Sequence, residues 1–248
     1  ARLGAIVGAM ALAGRDKLTL LLPPRLHAFG AWIEQLVAES TGKEGRGVLP
    51  VVETSIGDPD AFGDDRLFVR LRLADAEPAP EADALAAAGH PVVELDLADP
   101  YDLGAWFDLW EFATAVAGHV IDVQPFDQPN VESAKRRAGE MLEAFRERGA
   151  LPEPEPEPAG ALSGFLERAA PPDYVAVLAW LPPEPETTAA LERLRTRISA
   201  VHGIAATAAY GPRYLHSTGQ LHKGDAGRGR FLVLTADSPA DVPIPDAP

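Results

Sequence analysis

The chain is expected to be an α/β protein, a three-layer sandwich around a parallel sheet. Three observations carry that expectation. Short apolar runs alternate with helix-periodic stretches along most of the chain, and glycines stop several of those stretches. The length, 248 residues with 46% hydrophobic content, suffices for one large or two small cores without disulfide or metal staples. In such a sheet, ligand sites lie at the carboxyl ends of the strands.

Residues 3–12 form an apolar stretch rich in small residues. It is short for a membrane span and lacks the basic start of a signal peptide, so it reads as a buried helix cut from a longer parent. After Gly14-Arg15-Asp16, the run 17–22 (KLTLLL) suits a buried parallel strand. Leu26, Phe29, Ile33, Leu36 and Val37 then recur at helical spacing with Gly42 as the stop, which puts Glu39 at a helix end. Runs 67–73 (LFVRLRL) and 91–97 (PVVELDL) read as strands, separated by an Ala-rich helix over 81–88 that ends in Gly89. Tyr101 to Gly118 is the next helix. The following one, from about Pro129 to Arg148, is opened by a proline and carries Val131, Ala134, Ala138, Leu142 and Phe145 on one face, with Lys135 beside the stripe.

The segment Pro152-Glu-Pro-Glu-Pro-Glu-Pro158 is stiff and extended and can bury nothing, which makes it a linker. It divides the chain into residues 1–150, a linker over 151–160 and a C-terminal α/β unit over 161–248. That unit reads as a short helix (161–168), a strand (174–181), a helix (187–200), a strand (204–210), a helix around 213–222 and a strand (230–235). Its β-α-β-α-β order suits either a small subdomain or extra layers of the first sheet.

Composition excludes several functions. With 22 Lys+Arg against 37 Asp+Glu, the formal charge of -15 argues against a nucleic-acid backbone or an anionic membrane as the main partner. Any anionic ligand must be gripped locally. The absence of cysteine excludes disulfides and thiolate metal sites, and the six histidines, at 27, 90, 119, 202, 216 and 222, lack the spacing of a metal motif. A reducing cytoplasm is the plain reading.

Three polar, glycine-rich segments sit at element ends: 39–45 (ESTGKEG), 125–132 (PFDQPNVE) and 211–224 (GPRYLHSTGQLHKG). Here the chain resembles the phosphoglucose isomerase family. The run Trp32-Ile-Glu-Gln-Leu-Val-Ala-Glu-Ser-Thr-Gly-Lys43 is similar to that family's helix ending in Glu-Ser-x-Gly-Lys. Pro125-Phe-Asp-Gln-Pro-Asn-Val-Glu-Ser-Ala-Lys135 is similar to its Asn-x-Phe-Asp-Gln-x-x-Val-Glu-x-x-Lys signature. The stretch from His216 to Gly224 resembles members fused behind a transaldolase. The resemblance implies a three-layer sugar-isomerase (SIS) domain over 1–150, with 161–248 as the C-terminal subdomain.

The resemblance also implies roles. Glu39 matches the base that moves a proton between C1 and C2 of an open-chain sugar phosphate through a cis-enediol, interconverting glucose 6-phosphate and fructose 6-phosphate without metal, nucleotide or redox cofactor. Lys135 matches the cation near the ring oxygen. For the ring-opening histidine, His216 fits best in the run His216-Ser-Thr-Gly-Gln220, with His222 second and His90 third. His27, His119 and His202 read as structural or surface residues. Gly42 and Lys43 in the first segment, Gln128 in the second, and Thr218 and Gln220 in the third are the substrate-binding candidates. Arg213 and Lys223 flank the histidine as anion partners or as solvated charges.

The family's phosphate loop, of Ser-x-Ser-Gly-x-Thr type, has no counterpart in this sequence. The resemblance therefore implies a partial enzyme, without the first isomerase domain and the transaldolase domain of a longer parent. It also implies a homodimer whose subunits exchange a histidine. A non-catalytic sugar-phosphate-binding or assembly domain is the competing reading from a different class. An isomerase of a related sugar phosphate, such as mannose 6-phosphate, is a third.

Overall fold

The computed structural model describes residues 1–53, 56–73, 80–127, 129–151, 155–237 and 245. The first half contains helix α1 (Arg2–Leu12), strand β1 (Lys17–Leu21), helix α2 (His27–Thr41), strands β2 (Leu49–Glu53) and β3 (Arg66–Leu73), helix α3 (Pro80–Ala87), strand β4 (Val92–Leu97) and helices α4 (Leu103–Val120) and α5 (Val131–Arg148). The second half contains helix α6 (Ala161–Glu167), strand β5 (Tyr174–Trp180), helix α7 (Pro185–His202), strand β6 (Ala205–Tyr210), helix α8 (Gly219–Gly224) and strand β7 (Gly229–Thr235). The chain is α/β with two all-parallel sheets, one of order β2-β1-β3-β4 and one of order β6-β5-β7. The C-terminal strands thus form a sheet of their own.

Alternation along the strands builds the layers. Leu18 and Leu20 of β1, Leu67, Val69, Leu71 and Leu73 of β3 and Leu97 of β4 share a core with α1, α2 and α4, through Leu3, Val7, Phe29, Ile33, Val37, Trp106 and Trp110. On the opposite face, Leu21 and Phe68 pack against Leu85 of α3. Toward β4 that face turns ionic: Arg70 meets Glu94 at 2.8 Å and Arg72 meets Asp96 at 2.7 Å, each directly across the ladder. This is why 67–73 reads as an alternating strand.

The small residues of α1 have a packing reason. A Cβ on Gly4 would lie 2.1 Å from the Ala113 carbonyl oxygen, and one on Gly8 would lie 2.6 Å from Cβ of Val120. The two helices meet backbone to backbone, which only glycine allows.

Sequence reasoning did not foresee β2. Pro50 interrupts it, and proline removes a donor from the ladder; the strand lies at the sheet edge, where that loss is tolerated. The helix expected around 213–222 is broken into a 3-10 turn over Arg213–His216 and the short α8, because Ser217 leaves helical geometry at φ -126°, ψ -85°. The apolar stripe read on α5 is largely open to solvent, with Leu142 and Phe145 49% and 47% exposed. Periodicity made a helix there, but among the described residues no hydrophobic cluster includes a residue of α5. Of the expected linker, 152–154 lie outside the described residues and 155–160 are exposed. Among the described residues no helix is long and apolar enough to cross a membrane.

The two sheets are joined by a shared core and by buried charge. Ala38 of α2 and Leu49 and Val51 of β2 pack against Tyr174, Ala176 and Leu178 of β5, Ala205 of β6 and Leu221 of α8. The opposite side of β5, with Val175 and Val177, faces Leu191 and Ile198 of α7. Glu53, the last residue of β2, receives two hydrogen bonds of 2.8 Å from Arg195 of α7. Arg66 is fully buried nearby and reaches Thr19 at 3.1 Å and Ser199 at 3.4 Å.

Candidate functional site

Glu39 stands in the last turn of α2, partly buried, in a cavity of about 400 Å³. The cavity is walled on one side by Trp32, Gln35, Leu36 and Ser40 of the same helix and on the other by Pro125, Phe126 and Asp127. Trp32 is locked by stacking on Phe29, with centroids 5.5 Å apart, and by an edge contact with Phe107 at 4.5 Å. Gln35, one turn before Glu39, donates from Nε2 to Glu39 Oε2 at 3.4 Å. Sequence reasoning passed over Gln35, although its i, i+4 spacing to Glu39 was the available signal.

Beyond α2 the chain tightens. Thr41 Oγ1 donates to the Val37 carbonyl at 2.7 Å and accepts from the Val48 N–H at 3.0 Å. The helix stops at Gly42 as expected, but the φ of -75° there is open to any residue. Close approach explains the glycine: a Cβ there would lie 2.2 Å from Cα of Leu221. Gln220 Nε2 donates to the Gly42 carbonyl at 2.9 Å, so the third glycine-rich segment closes on the end of α2. Residues 43–46 form a turn with reciprocal backbone bonds between Lys43 and Arg46, and the Gly45 N–H donates to the Gly224 carbonyl at 2.8 Å. Lys43 is 1% exposed; its Nζ donates to the Gln124 carbonyl at 2.7 Å and to the Asp127 carbonyl, and pairs with Asp127 Oδ1 at 3.2 Å. All three segments singled out in the sequence therefore converge where α2 ends.

Comparison with known proteins finds isomerases. A glucose-6-phosphate isomerase of Clostridium tetani is 27% identical over 182 residues, covering 56% of this chain and 40% of that protein. Those of Exiguobacterium sibiricum and Rubrobacter xylanophilus are 30% and 29% identical over 158 and 178 residues. This chain is a relative of the glucose-6-phosphate isomerases. It spans well under half the length of these relatives, from 35% to 41%. No family model matches the chain.

Seen as a glucose-6-phosphate isomerase relative, the chain assembles only part of the expected site. Glu39 is in the cavity, and Gly42, Lys43, Thr218 and Gln220 lie buried behind it, with Thr218 2% and Gln220 6% exposed. Lys135 is exposed on α5 and His216 is exposed on the 3-10 turn; neither lines the Glu39 cavity. Gln128 lies outside the described residues. Near His216, Ser217 and Arg213 face Glu34 of α2. Burial pushes the Glu34 carboxyl above its usual range, against the opposing pull of Arg213 and of the Ser217 hydroxyl.

The other two histidine candidates have structural partners. His90 is buried, with Nε2 3.0 Å from the Pro59 carbonyl oxygen and its ring against Phe62 and Phe68. His222 shares a 2.9 Å hydrogen bond between Nδ1 and the Tyr174 hydroxyl and stacks on that ring, while its Nε2 is buried without a hydrogen-bond partner. Burial, with Lys223 adding its charge, pushes the His222 pKa down from 6.5 to about 4.

A lowered His222 pKa makes the fold less stable in acid. The unfolded chain takes up the proton at a higher pH than the folded one, so stability is full above about pH 6.5 and falls as the pH drops toward about 4. Between about pH 7 and about pH 4.5 this one group should lower unfolding free energy by about 2.5 kcal/mol. Urea unfolding of His222→Gln at those two pH values should show a pH dependence smaller by that amount. An unchanged pH dependence would remove His222 as its source.

Proposed function

We propose that the chain is the base-carrying part of an aldose-ketose isomerase that interconverts glucose 6-phosphate and fructose 6-phosphate. The observation that carries this reading is the meeting of Glu39 with Pro125, Phe126 and Asp127 across one cavity. These residues come from the two segments on which the resemblance rests. A carboxylate on the wall of such a cavity can take a carbon-bound proton and return it one carbon away, through a cis-enediol. Lys135 steadies the developing enediolate charge and His216 opens the ring. Both lie away from the Glu39 cavity of their own chain, which favours His216 serving the site of a second copy in a homodimer. Gln220, by its bond to the Gly42 carbonyl, steadies the end of the helix that carries Glu39.

In the same proposal, residues 1–150 are the second sugar-isomerase domain and 161–248 a subdomain joined through the linker at 151–160. The first isomerase domain and a transaldolase domain belong to the longer fused parent. The reaction needs no cofactor. The competing reading, a binding or assembly domain without chemistry, is distinguished by isotope exchange. Fructose 6-phosphate incubated with the chain in deuterium oxide should gain deuterium at C1, followed by NMR, as the carbon-bound proton is removed and replaced. Binding without deuterium uptake over many hours would leave the non-catalytic reading standing. Conversion by this chain alone at ordinary enzyme rates in a coupled assay would sink the partial-enzyme part of the proposal.

A further inference from the structure

Lys43 sits four residues after Glu39, immediately past the end of α2, and its ammonium faces protein. An ammonium carries three protons, and three acceptors surround this one: the carbonyls of Gln124 and Asp127 and the Asp127 carboxylate. None of that capacity is turned toward the cavity. The Lys43 backbone is itself fixed, its N–H reaching the Thr41 and Arg46 carbonyls at 2.9 and 3.0 Å. From the same turn, the Arg46 guanidinium donates to the Ile121 carbonyl and lies 3.4 Å from the Asp122 carboxylate. Two cations of one turn thus pin the segment 121–127.

Burial does little to hold the far end of that segment. Val123 is buried, but Gln124 and Asp127 are exposed and Phe126 is 85% exposed. The Lys43 ammonium bonds to both ends of the stretch 124–127, and each such bond is worth more than one from a neutral donor because the donor is charged and shielded from water.

We propose that Lys43 is a positioning residue that sets the width of the Glu39 cavity by clamping the wall at 124–127, and not a ligand of the substrate. The catalytic consequence rests on the reading of Glu39 as the base; the clamp itself does not. It is tested on the ligand-free chain by amide hydrogen exchange. In Lys43→Met, amides of 122–127 should exchange about tenfold faster, with α4 unchanged. Should that variant fail to fold, Asp127→Ala decides, since it removes one half-exposed acceptor and should speed the same amides about threefold. Unchanged exchange in 122–127 overturns the proposal.

In deuterium-uptake kinetics with fructose 6-phosphate, Lys43→Met should lower kcat while leaving KM within about twofold, the sign of a base and wall out of register. A raised KM with unaltered exchange in the free protein would make Lys43 a substrate ligand instead. If the wild-type chain shows no deuterium uptake at all, the isomerase reading fails, and the exchange comparison still judges the clamp.

Discussion

Replacing Arg195 by alanine is expected to lower the unfolding free energy by about 3–5 kcal/mol, because it strands the buried Glu53 carboxylate. Glu53 is 8% exposed, and Arg195 donates a 2.8 Å hydrogen bond to each of its carboxylate oxygens at the end of β2. Removing the guanidinium leaves a carboxylate in a site that water reaches poorly. Its desolvation cost, no longer offset, dominates over the lost attraction itself. The pair also spans 142 residues of sequence and joins the strand end of one sheet to the helix that covers the other. Chemical denaturation measures the loss. The double variant Glu53→Leu, Arg195→Leu should recover most of it, since an apolar pair of similar volume restores neither the charge nor its desolvation cost. A single Arg195→Ala variant within about 1 kcal/mol of wild type would show that Glu53 finds water or another partner.

Glu39→Gln should reduce deuterium uptake into fructose 6-phosphate by about 10²–10⁴-fold. Glutamine keeps the size and the capacity to accept from Gln35 Nε2, whose bond to Glu39 is 3.4 Å. It loses only the ability to take a proton. Affinity for the sugar phosphate should therefore change little, so the effect falls on kcat. Retention of more than about a tenth of the wild-type rate would show that another group moves the proton. Gln35→Ala offers a graded comparison, because it removes one orienting bond and leaves the carboxylate in place.

Local chemistry made much of the fold readable in the sequence. The alternation of Leu67, Val69, Leu71 and Leu73 gave β3, and the spacing of Phe29, Ile33 and Val37 gave α2, since both depend only on which face is buried. What was hidden depends on long-range placement. β2 was not read at all, and its Pro50 is tolerated only because the strand lies at the sheet edge. Leu142 and Phe145 made α5 amphipathic without saying what, if anything, covers it. Gly42 does stop α2, but the reason it is glycine is the approach of Leu221, 179 residues away in the chain.

The site divides in the same way. Motif sequence marked Glu39 and the segment at 125–127, which the fold brings to one cavity. It also marked Lys43, but could not say that the ammonium turns inward to backbone carbonyls, because neither the Gln124 nor the Asp127 carbonyl has any side-chain signature. His90 and His222 carried no mark of their structural roles, since the Pro59 carbonyl and the Tyr174 hydroxyl that hold them are far away in sequence.

The inward-facing cations have an outward effect. Among the described residues, Lys17, Lys43, Arg66 and Arg195 are buried, against only Glu53 and Asp65 among the carboxylates. In a chain of formal charge -15, the solvent-facing surface is therefore more acidic than the total suggests. Under the proposed function, a doubly charged sugar phosphate would approach against that field, and added salt, which shortens the reach of like-charge repulsion, should hasten its arrival instead of slowing it.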